Sequence, residues 1–226
     1  MKKLLILVPA LLWLLAPAAQ AQFMYDVNGR VINEMEYTNV EGSPYLFDTW
    51  YSGLVKDVKG KVHDGIKIRY DAYTDEVEYE KEGKLYRLGP EITEFSIPTG
   101  TSLYSFKKGY PAVGNHTDKN FYRVLYDGNT KLLKRYSTKK REERAYNSAT
   151  TTQRFDLAEE MFVLKNGTMH PMKRNDKKGL LKILSDEKNL MEFAIKEQQL
   201  NFKTEDDIVK LLEEYDAYKA GRKSKS

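Results

Sequence analysis

Cysteine is absent from this chain of 226 residues. No disulfide framework can hold the fold, so its stability must come from an ordinary apolar core. A thiol nucleophile and a Cys-ligated zinc site are excluded with it. Histidine is nearly as scarce: His63, His116 and His170 stand far apart in the chain, so HExxH and related helix-borne zinc motifs are missing. Each of the three reads as a surface-loop histidine. Neither phosphate-cradling loop, G-x-x-x-x-G-K-[ST] or G-x-G-x-x-G, occurs, and no Ser stands in a G-x-S-x-G turn. The EF-hand loop pattern is missing as well. The chain therefore offers no catalytic, cofactor-binding or metal-ligating residue by motif, and no cofactor or nucleotide partner is implied.

Long apolar runs are confined to the beginning. Lys2 and Lys3 precede the run from Leu4 to Leu15, and Ala19-Gln20-Ala21 supplies small residues where a signal peptidase reads. This pattern is a secretory leader, with cleavage expected after Ala21. The run is shorter than the roughly 20 residues of a comfortable membrane span. Gln22 stands where a bacterial lipoprotein would carry Cys, so lipid anchoring is not expected. The expected destination is the periplasm or the exterior.

What remains is polar and close to neutral. Charged residues make up 31% of the sequence, the mean hydropathy is −0.64, and the formal charge of +4 includes Lys2 and Lys3 of the leader. A field over the whole molecule for nucleic acid is not indicated. Tyrosine is abundant, with 16 Tyr against 9 Phe and 2 Trp. Tyrosine suits half-buried strands, and it also suits surfaces that bind sugars or peptides.

The expected fold class is α+β: an antiparallel β-rich body (a meander, a sandwich or a partly open barrel) followed by a small helical segment. Asn28-Gly29 signals a turn between Tyr25-Asp26-Val27 and Arg30-Val31-Ile32. Ile66, Ile68 and Tyr70 alternate with Lys67, Arg69 and Asp71, and Val77 and Tyr79 alternate with Glu76, Glu78 and Glu80. Glu82-Gly83, Asp127-Gly128-Asn129 and Asn166-Gly167 are hairpin turns. Further strands are expected at Leu103–Phe106, Phe121–Tyr126, Leu132–Tyr136 and Phe155–Leu164, with an exposed loop at Tyr146–Gln153. A membrane β-barrel is disfavoured, because these strands fall short of the roughly 9–11 residues of a span and no aromatic girdle repeats. After His170-Pro171 the period becomes helical. Asn175 or Asp176 caps a first helix with Leu180, Leu181 and Leu184. Asp186 caps a second with Leu190, Met191, Phe193, Ala194 and Ile195. Thr204 caps a third, striped by Ile208, Leu211, Leu212, Tyr215 and Tyr218, with Phe202 stapled against Ile208. The domain plan is a leader at 1–21, a β-rich domain at 22–172, a helical segment packed on it at 173–219, and a basic disordered tail at 220–226.

The stretch Gly42-Ser43-Pro44-Tyr45-Leu46-Phe47-Asp48-Thr49-Trp50, with Gly53-Leu54-Val55 and Ile66-Lys67-Ile68-Arg69-Tyr70-Asp71, resembles a family of uncharacterised exported proteins of Bacteroidota. Asp127-Gly128, Lys131-Leu132-Leu133-Lys134 and Asp207-Ile208-Val209-Lys210-Leu211-Leu212 extend the likeness over most of the mature chain. Its motifs are turn and core residues. The resemblance implies export and a β-rich body with a helical end, and it implies no activity.

Charge is placed unevenly. Residues 71–94 hold eight acids and three bases, whereas 118–144 hold nine bases and four acids. Lys134, Arg135, Lys139, Lys140, Arg141 and Arg144 form a candidate contact for a polyanion or partner, with Tyr122, Tyr126, Tyr136 and Tyr146 nearby. Pairing with the acidic region inside the fold is the competing reading. Asp71-Ala72-Tyr73-Thr74-Asp75-Glu76 is a compact acidic turn whose Asp side chains bond the backbone, with a weakly held ion as the alternative. Three functions stay open. The first is a non-enzymatic envelope protein binding a partner protein or glycan. The second is a glycan hydrolase with paired carboxylates. The third is a polyanion-binding factor. No membrane span is expected in the mature chain.

Overall fold

The computed structural model describes residues 29–32, 37, 40–144 and 151–223. The expected cleavage point, the strand at 25–27, most of the loop at 146–153 and residues 224–226 lie outside the described residues.

The described residues build one sheet of twelve strands and three α-helices. The strands are β1 (Arg30–Val31), β2 (Val40–Glu41), β3 (Tyr51–Asp57), β4 (Val62–Asp71), β5 (Glu76–Lys81), β6 (Lys84–Arg87), β7 (Ile92–Pro98) and β8 (Leu103–Lys107). They continue as β9 (Tyr122–Asp127), β10 (Lys131–Arg144), β11 (Thr151–Lys165) and β12 (Thr168–Met172). Their spatial order is β1-β6-β5-β4-β3-β7-β8-β9-β10-β11-β12, with β2 lying parallel beside β11. All other pairings between these strands are antiparallel, and all but β1–β6 and β3–β7 join strands consecutive in the chain.

Local chemistry explains the hairpins. Glu82 and Gly83 both take positive φ (51° and 73°), as do Asn166 and Gly167 (51° and 75°). Paired positive values match the right-handed twist of the flanking strands. Gly53 lies at the bulge where β3 slips against β4. A Cβ there would sit 2.6 Å from the Ser96 carbonyl oxygen and 2.4 Å from Ile68 Cδ1, so only glycine lets β7 and β4 approach this closely.

The period-two pattern places Val55, Ile68, Tyr70, Phe95, Ile97 and Phe106 in one apolar core under the first strands. Phe95 and Phe106 stack with ring centroids 4.5 Å apart. The sheet coils so far that Thr138, in the middle of β10, donates its N–H to the Ala72 carbonyl at 2.9 Å. The helices α1 (Lys177–Ile183), α2 (Lys188–Glu197) and α3 (Glu205–Lys223) form a second core against Leu132, Met161 and Val163. A third cluster on the other side joins Tyr110, Tyr122, Leu133, Phe162 and Met169.

Several sequence expectations change. β10 continues to Arg144 and β11 starts at Thr151, so the hairpin projects well beyond the strands read at Leu132–Tyr136 and Phe155–Leu164. His170-Pro171 does not end the β region but sits inside β12, an edge strand that tolerates proline. Asp176 accepts from Gly179 N at 2.8 Å and caps α1. Asp186 caps nothing: it lies in a 3-10 turn, Ser185–Glu187, and its carboxylate is taken by tertiary partners. Phe193 is 59% exposed, whereas its neighbours Met191, Ala194 and Ile195 are buried. Phe202 and Ile208 share the helical core. α3 runs through Lys223, so residues 220–223 are helix rather than tail. No helix among the described residues is long and apolar enough to cross a membrane.

Candidate functional site

The turn between β4 and β5, the β6–β7 loop and the β8–β9 connection meet at one end of the sheet. Between them lies a half-open cleft of about 500 Å3. Val77, Leu88, Ile92 and Phe121 line its apolar part, each at most 8% exposed. Glu76, Lys108, Asp118 and Lys119 supply the polar lining. Convergent polar groups over an apolar floor are the usual makeup of a small-ligand site.

Asp75 ties the turn between β4 and β5 to the β8–β9 connection and to β10. Its Oδ1 accepts from the Tyr70 hydroxyl at 2.5 Å and from Phe121 N at 3.4 Å. Its Oδ2 accepts from Asn120 Nδ2 at 2.7 Å and faces the Arg135 guanidinium at 3.5 Å. A carboxylate so fully engaged acts as a post that shapes the cleft, with no lone pair directed at a proton on a ligand. Burial, reinforced by Asp75, holds the Tyr70 phenol well above its ordinary pKa.

Lys108 is the cleft's distinctive group. Its ammonium donates to the Pro90 carbonyl at 2.6 Å and lies 5.2 Å from the centre of the Phe121 ring. Partial burial lowers its pKa, against the opposing pull of Glu91 and Asp75. The Thr93 hydroxyl turns away from the cleft toward the carbonyls of Lys56 and Asp57, at 3.3 and 3.4 Å.

The residues singled out from the sequence distribute differently. Lys134 and Arg135 are buried, at 3% and 9% exposure. Lys134 pairs with Glu159 at 2.9 Å and with Glu205 of α3, and Arg135 with Asp75. These two leave the candidate polyanion contact, because their charges are spent inside the fold. Lys139, Lys140 and Arg141 are exposed on the projecting hairpin. Arg141 pairs with Asp156 at 3.3 Å. Arg144 closes β10. Tyr122, Tyr126 and Tyr136 do not form a platform beside these bases. Tyr122 is buried, Tyr126 donates to Asp216 at 3.0 Å, and Tyr136 accepts from Arg123 at 3.1 Å. Tyr146 lies outside the described residues.

Among the histidines, His63 is 5% exposed in β4, with Nε2 3.8 Å from Asp57, so it is not a surface-loop residue. Strand alternation, with His63 in register beside Val55, is the signal that marks it as inward. His116 approaches Glu160 at 3.2 Å, and His170 lines a separate cleft beside α1. Among the described residues no group of three or more His, Cys, Asp or Glu is arranged to hold a metal ion. In the acidic turn, Asp71 Oδ1 accepts from Tyr73 N at 2.9 Å and Thr74 N at 3.1 Å, which is the backbone-bonding arrangement. Asp71 also joins a buried ladder with Arg87, Glu78 and Arg69, over which Tyr45 and Trp50 stack on the Arg69 guanidinium at 3.4 and 4.3 Å. Burial raises the Glu78 pKa despite Arg69 beside it.

The described residues form an α+β fold, an open and mostly antiparallel sheet followed by helices, with a half-open cleft at one end of the sheet. No family model matches the chain, and neither a curated protein nor a solved structure matches it.

Proposed function

We propose that the mature chain is an exported, non-enzymatic envelope protein, periplasmic or secreted, that binds a glycan in the cleft beside Lys108. The cleft carries this reading. Its lining mixes Glu76 and Asp118 with Lys108 and Lys119 around the buried edge of Phe121. Sugar hydroxyls both donate and accept, so they suit a rim of both signs, and the apolar face of a pyranose suits the floor. The leader at 1–21 and the resemblance to exported Bacteroidota proteins support the location. The hydrogen bond from Thr138 to Ala72 supports a partly open barrel for the part of the sheet from β4 to β10.

The hydrolase reading draws less support, because Asp75 is saturated by donors and Glu76 pairs with Arg87 at 3.1 Å. A polyanion-binding role retains one observation, the exposed Lys139 and Lys140 on the hairpin.

The test is a glycan array probed with the chain lacking residues 1–21, beside Lys108→Met and Lys119→Glu. Selective retention that both substitutions weaken fits the proposal. Retention that neither changes, or none on any glycan, contradicts it. Release of reducing ends would point to the hydrolase, and retention on heparin that falls steeply with salt to the polyanion factor.

A further inference from the structure

The hairpin of β10 and β11 extends past the rest of the sheet. β9 pairs with β10 only as far as Lys134, and beyond Thr138 no described strand pairs with that edge. The opposite edge of the hairpin is covered where β2 pairs with Gln153 and Arg154 of β11. An open edge with unpaired N–H and C=O groups is a template for another strand.

Backbone direction fixes which groups are offered. Thr138 turns its N–H away from β11, toward Ala72. With a period of two, Lys140, Glu142 and Arg144 turn theirs to the same open side, and Lys139, Arg141 and position 143 turn theirs toward β11. An added antiparallel strand must set outward-turned residues opposite outward-turned residues. For a second copy of β10 this permits only registers that pair even with even positions.

One such register is complementary in charge. Centred on Arg141, it sets Lys140 of each copy opposite Glu142 of the other, and Lys139 opposite Glu143. Each pair occurs twice under the two-fold. Registers shifted by one position either way set Lys140 or Glu142 opposite its own copy. Arg141 alone faces itself, and its guanidinium is already held by Asp156 at 3.3 Å. Like-signed edges prevent pairing, but the run Lys-Lys-Arg-Glu-Glu-Arg is complementary to its own reverse in this register.

We infer that the chain forms a two-fold dimer through antiparallel pairing of the β10 edges, centred on Arg141. The partner is a second copy, chosen by the charge order along the edge. The interface is narrow, so association is weak and sensitive to salt.

The absence of cysteine makes a clean test possible. Residues facing each other at a site without ladder hydrogen bonds bring their Cβ atoms within reach of a disulfide. Arg141→Cys in the chain lacking residues 1–21 is expected to give a disulfide-linked dimer under mild oxidation, and Lys139→Cys much less of it. Sedimentation of the unmodified protein is expected to show reversible dimers that dissociate as salt rises. Lys140→Glu or Glu142→Lys alone turns two attractive pairs into two repulsive ones and weakens the dimer roughly tenfold or more, whereas the double exchange restores it. A monomer at every concentration in low salt, equal crosslinking at 139 and 141, or a dimer indifferent to both single exchanges would overturn the inference.

Discussion

Lys134 offers the sharpest check on how the sheet and the helices are joined. Its side chain is 4% exposed, and its ammonium sits between Glu159 of β11 and Glu205 at the start of α3. Burial disfavours the charge, but the hydrogen bonds to Glu205 and Glu159 outweigh it and raise the pKa. Glu205→Gln removes the more buried partner, since Glu205 is 18% exposed and Glu159 43%. Breaking a buried pair from one side costs about 3–5 kcal/mol when nothing replaces the lost charge. Glu159 remains here, which lowers the expectation to about 2–3 kcal/mol, or roughly 5–10 °C in Tm for a chain of this size. Lys134→Met keeps the aliphatic stem but leaves Glu205 and Glu159 without their shared cation, so it is expected to cost at least as much. Urea unfolding with a shared m-value measures both. A neutral Glu205→Gln, or a neutral Lys134→Met, would refute the placement of Lys134 between the sheet and α3.

Gly53→Ala drives a methyl group against the Ser96 carbonyl and Ile68, and is expected to lower stability by about 1–3 kcal/mol in the same urea assay. Tyr70→Phe removes one donor from Asp75 and should cost about 1–2 kcal/mol, with faster amide exchange at Phe121 as its local readout. Asp186 gives a pH dependence. Burial opposes its charge, but Lys165, Tyr215 and Lys219 hold its pKa well below the usual 3.8. The unfolded chain then binds this proton more readily, so the stabilisation is complete above about pH 5 and fades as the pH falls through 3.8 and below. Asp186→Asn should lose stability at neutral pH and show a shallower acid decline than the parent, measured by thermal unfolding between pH 2 and 7.

Where turn chemistry and periodicity agree, the structure could be read from the chain. Glu82-Gly83 and Asn166-Gly167 announce their hairpins, and Asp176 announces its helix. The long β10 could not be read, because Lys139 to Arg144 has no apolar alternation; the ladder with β11 extends it. β12 was hidden by Pro171, which an edge position tolerates. Asp186 looks like a cap locally, yet Lys165 and Tyr215 claim it from β11 and α3. The candidate cleft was equally hidden. Glu76 at the start of β5, Leu88 in the β6–β7 loop, and Lys108 and Phe121 at the two ends of the β8–β9 connection are brought together only by the coiling of the sheet. The basic stretch misled for a related reason. β10 is covered on both faces near its start and exposed where the hairpin projects, so the adjacent Lys134 and Arg135 lie inside while the adjacent Lys139 and Lys140 lie outside.

The most direct test of the cleft is residue-resolved: amide NMR of isotope-labelled protein lacking residues 1–21, titrated with oligosaccharides released from bacterial envelopes. The account expects saturable shifts gathered at 75–77, 88–93, 108–109 and 118–121, with the Lys108 ammonium changing alongside. Shifts confined to the hairpin at 139–144, or an unperturbed spectrum at saturating sugar, would contradict it.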